Sequence, residues 1–332
     1  MSEVREIKQS VNRTQVVGTL KEMNLQQETK EIELSYGDKK KKVTCEVISK
    51  VDFTSPMFLV DVNGQDIGVE MFGTSDKKLD ENGKIIDNKR FKALQTILNT
   101  YVPKIACKGE EKPTRVKFDG MLSENSYAKD GDFKAFTQIT AFNATHNGVP
   151  EEDYAKGEMT GIIKNMLPEV RVVNEEETET GRLKVEFYYF DRNSNTFPVN
   201  FVTESELASD LSDFYEVGDS CKLYYDIVVK QIGGAKPVTS GGFGKREAVS
   251  TGFNITEYSI VGGDDKFEEE SEYFIEISQM KEALNAREIM MDTKIEEAKK
   301  RAENPKEKGK KDPKSFGKKD GVKGSITGNP FD

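Results

Sequence analysis

The sequence predicts a mainly β protein made of two copies of one small all-β unit. The main observation is an internal repeat: residues 17–23 read Val-Gly-Thr-Leu-Lys-Glu-Met, and residues 160–166 read Thr-Gly-Ile-Ile-Lys-Asn-Met. A second echo relates residues 139–142 (Ile-Thr-Ala-Phe) to residues 255–258 (Ile-Thr-Glu-Tyr). Between these two repeated segments, each half is predicted to contain three strands, a helix and two further strands, in that order. Because internal repeats decide the architecture, each half is expected to be one folded unit.

The first half shows the alternation of apolar and polar residues that predicts half-buried strands. The predicted strands cover residues 14–25, 31–34, 43–48, 58–62, 67–72, 116–122 and 133–143. Asn63-Gly64 is a strong hairpin signal because both residues tolerate a positive φ. Asn88 is expected to cap a helix that runs to about residue 99, with Phe91 and Leu94 on its apolar face.

The second half repeats this plan and is followed by a change in composition. Its predicted strands cover residues 158–167, 183–190, 197–202, 222–231 and 249–260, with a helix over 205–214 and a glycine-rich loop over 232–245. A long helix is expected over 273–302, and the lysine-rich, apolar-poor residues after it are expected to be disordered. The predicted organisation is a flexible N-terminus (1–12), two barrels (13–148 and 149–265), a helical region (266–303) and a disordered tail (304–332).

Composition and residue types argue against several classes of function. The chain of 332 residues has a net charge of -10, no long apolar segment, and three separated cysteines without a CxxC pair. These features predict a cytoplasmic protein of the host cell with no membrane segment, disulfide framework, metal or cofactor. His146 is the only histidine, and no constellation for acid–base catalysis is evident, so we expect no enzymatic activity.

The strand order, with one helix between the third and fourth strands, is that of the OB-fold, a five-stranded Greek-key barrel that binds oligonucleotides or oligosaccharides. Single-stranded nucleic acid needs cations along its backbone and flat side chains on which bases stack. Both types occur in the predicted loop between the last two strands of the first unit and in matching stretches of the second. The candidate binding residues are Tyr127, Lys129, Phe133, Lys134, Tyr189, Arg192, Phe243, Lys245 and Arg246.

The Asp-Gly hairpin loop over 125–134, the strands led by Gly18 and Gly161, and the terminal Pro330-Phe331 resemble single-stranded DNA-binding proteins of bacteriophages. The resemblance implies OB-folds whose hairpin loops and faces coat single-stranded DNA without strong sequence preference, in replication, recombination or repair. It also implies that the tail tip, Pro330, Phe331 and Asp332, recruits replication or recombination proteins.

Three alternatives stay open at this point. The barrels could serve as a scaffold for protein–protein contacts in a viral or replisome assembly, which the acidic net charge favours. The helix over 273–302 could pack back on the second barrel or pair with another copy. Lys117-Phe118-Asp119-Gly120 matches the Lys-x-Asp-Gly nucleophile motif of nucleotidyltransferases, although the later motifs of that class are not found.

Overall fold

The computed structural model describes residues 7–129, 132–173, 176–232 and 253–303. Within these ranges the chain is mainly β, as predicted, with three α-helices. The predicted tail, the first six residues and most of the glycine-rich loop lie outside the described residues. None of the described helices is long and apolar enough to cross a membrane.

The first half contains nine strands and one α-helix within the described residues. The strands are β1 (Asn12–Met23), β2 (Leu25–Tyr36), β3 (Lys39–Lys50), β4 (Phe58–Val62), β5 (Gln65–Met71), β6 (Lys77–Leu79), β7 (Ile85–Asp87), β8 (Arg115–Lys129) and β9 (Asp132–Thr145). Helix α1 (Lys89–Thr100) precedes β8, and a short 3-10 helix follows it at Lys104–Ala106. Asn88 caps α1 as predicted, because its side-chain oxygen accepts a hydrogen bond from the Arg90 N–H.

The second half contains five strands and two helices within the described residues. The elements are β10 (Tyr154–Val173), β11 (Glu176–Phe190), β12 (Thr196–Thr203), α2 (Ser205–Phe214), β13 (Ser220–Ile232), β14 (Phe253–Gly263) and α3 (Ile277–Glu303). The long β10–β11 hairpin continues through register shifts to the pair Val173–Glu176, beyond the predicted strand ends.

Each half closes a ring of five strands with the same connectivity. The first ring runs β1–β4–β5–β9–β8 and back to β1, and the second runs β10–β11–β12–β14–β13 and back to β10. All neighbours are antiparallel except the β5–β9 and β12–β14 pairs, which are parallel. The β2–β3 hairpin is an insertion in the first half that pairs as its own sheet. The tandem OB-fold architecture is therefore confirmed.

The two barrels are joined edge to edge about a pseudo-twofold axis. Strand β1 pairs antiparallel with β10, and Thr14 lies opposite Gly157. The same spacing of 143 residues relates Thr14 to Gly157 and Gly18 to Gly161, so equivalent positions of the two repeats face each other. One hydrophobic cluster of buried residues runs through both barrels, and the Thr14 and Tyr225 hydroxyl groups lie 2.8 Å apart within it.

The repeat of residues 17–23 at residues 160–166 is confirmed residue by residue, because both strands have a register shift at the same place in the repeat. A register shift lies between Leu20 and Glu22 in β1, and the equivalent shift lies between Ile163 and Asn165 in β10. The predicted correspondence between residues 139–142 and residues 255–258 is wrong. Ala141 pairs with Gly120 and Ile260 pairs with Tyr225, so residues 139–142 correspond to residues 258–261 and not to 255–258.

The repeated glycine has a steric reason. A Cβ atom at Gly18 would clash with the backbone oxygen of Asp61, and a Cβ atom at Gly161 would clash with the backbone oxygen of Tyr188. Gly18 therefore allows β1 to approach β4 closely, and Gly161 allows β10 to approach β11 closely.

Gly161→Ala is expected to lower the free energy of unfolding by about 1 to 3 kcal/mol, because the clash is with backbone that cannot rotate away. Urea denaturation should show a lower midpoint with an unchanged slope. Gly262→Ala is the matched control, since a Cβ atom there meets nothing within 4 Å. Equal stability of the two variants would contradict the steric explanation.

Helix α3 packs back on the second barrel, which was one of the two predicted arrangements. Ile275, before the helix, and Met280 and Ala283, within it, form a buried cluster with strand residues of the outer barrel face, including Tyr188 and Phe190. This cluster is separate from the main core. The outer face of β11 is therefore covered by the C-terminal helix.

Candidate nucleic-acid interface

Strands β8 and β9 continue past the first barrel as a two-stranded hairpin, here called the arm (residues 123–129 and 132–138). In its register Tyr127 lies opposite Lys134 and Asn125 lies opposite Phe136. Successive side chains of a strand point to opposite faces, so these four share one face. All four are exposed, with Tyr127 at 46% and Phe136 at 50% of their full accessibility. Lys129 and Asp132 complete this face at the tip.

Phe133 lies on the other face of the arm, against helix α3. The Lys294 ammonium group is 5.7 Å from the centre of the Phe133 ring and 3.0 Å from the Ser126 hydroxyl oxygen. Period-two alternation sends Tyr127 and Phe133 to opposite faces of the arm, so one stacking surface does not hold both rings, and a DNA contact of Phe133 stays a prediction. Phe136, which was not among the candidate residues, occupies the face of Tyr127.

An open groove of about 660 Å³ lies beside the arm on the outer face of the first barrel. Leu59 of β4, Gly68 of β5 and Phe136 of β9 line it, and Thr256 of β14 brings in the second barrel. Gly68 places no side chain in the groove, and Phe53 stands at its edge.

Phe53 is 80% exposed, and sequence reasoning missed it. The loop that carries it is ordered by Asp52, whose carboxylate accepts hydrogen bonds from the Thr54 N–H at 2.9 Å and the Ser55 hydroxyl at 2.8 Å. The Thr54 N–H is the largest cause of the lowered pKa of Asp52. Asn24 exchanges two further bonds with the Asp52 backbone. The only sequence signal is an aromatic residue inside a polar turn, with no alternating apolar partners.

The carboxylates on the outer face of β4 and β5 are all paired with lysines. Lys21 lies 2.6 Å from Asp66, Lys104 lies 3.2 Å from Asp61, and Lys50 forms a close ion pair with Glu70. The arm face adds Lys129 and Lys134 against the single carboxylate of Asp132. The groove is therefore close to neutral, and the described residues of the adjoining arm face carry one more lysine than carboxylate.

The second barrel does not repeat this arrangement. Strand registers make Ile255 the equivalent of Phe136 and Asn200 the equivalent of Gly68. Tyr189 is only 8% exposed, and its ring stacks on Phe197 with 5.4 Å between centres. The prediction that Tyr189 meets DNA is wrong, because its side chain points into the barrel. Arg192 is exposed in the β11–β12 turn.

Several predicted functional residues fall outside the described ranges. Phe243, Lys245 and Arg246 belong to the segment between β13 and β14, and Pro330, Phe331 and Asp332 belong to the C-terminal segment. Their roles stay predictions. Lys39, Lys40, Lys41 and Lys42 are exposed at the tip of the β2–β3 hairpin, close to Tyr36.

A buried ion network joins the bases of both long hairpins of the second barrel. The Arg182 guanidinium lies 3.1 Å from Glu169 of β10 and 2.7 Å from Glu257 of β14, and Lys230 of β13 lies 3.0 Å from Glu257. Burial raises the pKa of Glu257, but the hydrogen bonds from Arg182 and Lys230 outweigh burial, and the net pKa is lowered.

Because the folded pKa of Glu257 is lowered, its contribution to stability is present above the unfolded value, about 4.3, and is lost as the pH falls through the folded pKa. We expect the wild type to lose stability more steeply than Glu257→Gln on acidification below about pH 4.3 in urea titrations. Glu268→Gln, at an exposed position, is the control. Parallel curves for wild type and Glu257→Gln would contradict the linkage.

Two closed five-stranded rings of this order define a tandem OB-fold protein. The chain belongs to the YorF family, whose model matches residues 10–322. A search of curated proteins gave no match.

Solved structures of single-stranded DNA-binding proteins align with the chain at low similarity. The wild-type protein of Thermus aquaticus aligns at 12% identity and a TM-score of 0.40, over 80% of this chain and 97% of that one. A deletion mutant of the same protein aligns at 12% identity and a TM-score of 0.39, over 79% of this chain and 98% of that one. A replication protein A heterotrimer bound to ssDNA aligns at 10% identity and a TM-score of 0.17, over 67% of this chain and 45% of that one. These TM-scores are too low to carry an argument about function.

Proposed function

We propose that the protein binds single-stranded DNA without strong sequence preference, in the groove of the first barrel and along the adjoining face of the arm. The observation that carries this proposal is a set of three exposed aromatic rings: Phe53 and Phe136 line one open groove, and Tyr127 lies on the adjoining face of the arm. Bases of a single strand present their flat faces for stacking on such rings, whatever their sequence. In a duplex those faces are hidden by neighbouring base pairs.

The charges around the groove fit a phosphate backbone despite the acidic net charge of the chain. The carboxylates of the β4–β5 face are paired with lysines, so they do not repel a polyanion at full strength. Lys129 and Lys134 flank Tyr127 on the arm and would meet the phosphates. Binding should weaken with salt, because each neutralised phosphate releases condensed counterions.

The biological role that we propose is coating of DNA during bacteriophage replication, recombination or repair in the host cytoplasm. Partner proteins would be recruited through Pro330, Phe331 and Asp332. We propose no catalytic step. The geometry of Lys117 supports this view, since its ammonium group is held in an ion pair with Asp119 at 3.2 Å.

The direct test is fluorescence anisotropy of a labelled oligo-dT of about 30 nucleotides, at low and moderate salt, with duplex DNA as competitor. Tight binding that salt weakens and duplex does not compete away is the expected result. Absence of binding at low salt would overturn the proposal. The barrels would then be a scaffold for protein–protein contacts, the alternative that the acidic surface of α2 favours.

A further inference from the structure

Helices α1 and α2 occupy equivalent places in the two barrels, each between the third and fourth strands of its ring, yet they carry opposite charges. Helix α1 has three cationic residues, Lys89, Arg90 and Lys92, and no acidic one. Helix α2 has three acidic residues, Glu206, Asp210 and Asp213, and no cationic one. All six side chains are exposed. The pseudo-twofold axis therefore relates a basic surface to an acidic one.

These charges do not stabilise their own helices. The N-terminal end of a helix carries partial positive charge and the C-terminal end partial negative charge. The three cations of α1 lie within its first four residues, and Asp210 and Asp213 lie within the last five residues of α2. Most of the charges thus oppose the helix dipole, and such a local conflict indicates selection for another purpose.

The acidic surface borders an apolar groove. A cavity of about 210 Å³ between α2 and the end of β14 is lined by Leu207, Leu211, Phe214, Tyr215 and Ile260, with Asp210 at its edge. Phe214 is 53% exposed and nearby Val217 is 58% exposed. The groove fits a partner that combines positive charge with an apolar side chain.

The surface of α1 has both properties. Phe72, which is 39% exposed, lies beside the helix, and the Arg90 guanidinium carbon is 5.8 Å from the centre of its ring. The aliphatic stems of Lys89 and Lys92 add apolar surface below their charges. Every residue that lines the α2 groove belongs to the second barrel, so α1 of the same chain does not occupy it.

We propose that copies of this protein associate head to tail, with the α1 surface of one copy seated in the α2 groove of the next. The occupant is a second copy because the chain itself presents a surface of matching chemistry and opposite charge. Such a contact is heterologous, so every added copy leaves one α1 surface and one α2 groove free and the assembly can grow. On DNA, a consequence that rests on the proposed function, neighbouring copies would bind cooperatively.

The test is sedimentation velocity of the full chain without DNA, over a concentration series at low salt, with two charge-reversed variants. One carries Lys89→Glu, Arg90→Glu and Lys92→Glu, and the other carries Glu206→Lys, Asp210→Lys and Asp213→Lys. Each variant alone should associate about tenfold or more weakly than the wild type, because its two surfaces then have the same sign. An equimolar mixture should recover assembly, since the acidic α1 of one variant meets the basic α2 of the other.

Recovery in the mixture is the decisive reading, because two misfolded variants would not restore each other. Reversal of Lys40, Lys41 and Lys42 to Glu at the β2–β3 tip is the control and should leave association unchanged. A wild type that stays monomeric across the series, or a mixture that does not recover, would overturn the proposal. The assay contains no DNA, so its failure is distinct from a failure of DNA binding.

Discussion

Replacement of Phe53 and Phe136 by alanine should weaken binding of single-stranded DNA by about 1 to 3 kcal/mol for each ring, and by roughly the sum in the double variant. Both rings border the same groove, and both are exposed in the free protein. Their positions are fixed before DNA arrives, Phe53 by the Asp52–Asn24 hydrogen bonds and Phe136 by the β8–β9 pairing. Little ordering cost is therefore expected on binding.

Anisotropy titrations with oligo-dT at fixed salt measure this loss as a shift in Kd. Phe142→Ala is the matched control, because Phe142 is also on β9 and 49% exposed but does not line the groove. Thermal unfolding should be nearly unchanged in all four variants, namely the two single replacements, their double variant and Phe142→Ala, since none removes a buried side chain. Wild-type affinity in the Phe53→Ala, Phe136→Ala double variant would contradict the stacking role of this groove.

The repeat, and with it the fold, could be read from the sequence because its signal is local. The glycine of residues 17–23 and 160–166 is required wherever the first strand closely approaches the second, so it recurs with the bulge that follows it. The closing echo failed because the register of β14 is set by its pairing with β13, which four matching residues do not report.

The site could be predicted only in part. Tyr127 and Lys134 were proposed because the sequence predicts a loop that mixes aromatic and basic side chains there, and such residues rarely fill a core; the structure places both on paired strands of the arm. Tyr189 was misplaced because alternation puts Tyr188 and Tyr189 on opposite faces of β11 without showing which of them faces the barrel. Tyr189 faces the barrel, and the outward-facing Tyr188 is buried by helix α3, almost ninety residues later in sequence. No local pattern announces such long-range cover. Phe53 and Phe136 are more than eighty residues apart in sequence, and only the closed barrel shows that both line the same groove.

Arg287→Ala is expected to lower the free energy of unfolding by about 3 to 5 kcal/mol, the typical cost of leaving a buried charge without its partner. The Arg287 guanidinium of α3 forms a close ion pair with Glu124 of the arm and donates a hydrogen bond to the Thr196 carbonyl oxygen at 3.1 Å. The side chains of Arg287 and Glu124 are only 8% and 4% exposed. Urea denaturation monitored by circular dichroism gives the change directly.

The double variant Arg287→Met with Glu124→Gln separates the charge from the packing. With both charges gone, no uncompensated buried ion is left, and the double variant should be more stable than Arg287→Ala. A loss in Arg287→Ala below about 1 kcal/mol would show that water reaches Glu124 and that the pair behaves like a surface ion pair.

The same variants show whether α3 holds the arm in place for DNA. Glu124 lies on the arm three residues before Tyr127. Lys294, about two helical turns after Arg287 along α3, binds Ser126, so the helix fixes the arm at two points. If the double variant regains stability but binds oligo-dT more weakly than the wild type, the ion pair positions the arm. If stability and affinity return together, the pair only compensates buried charge, and packing of α3 against the arm is sufficient to present Tyr127.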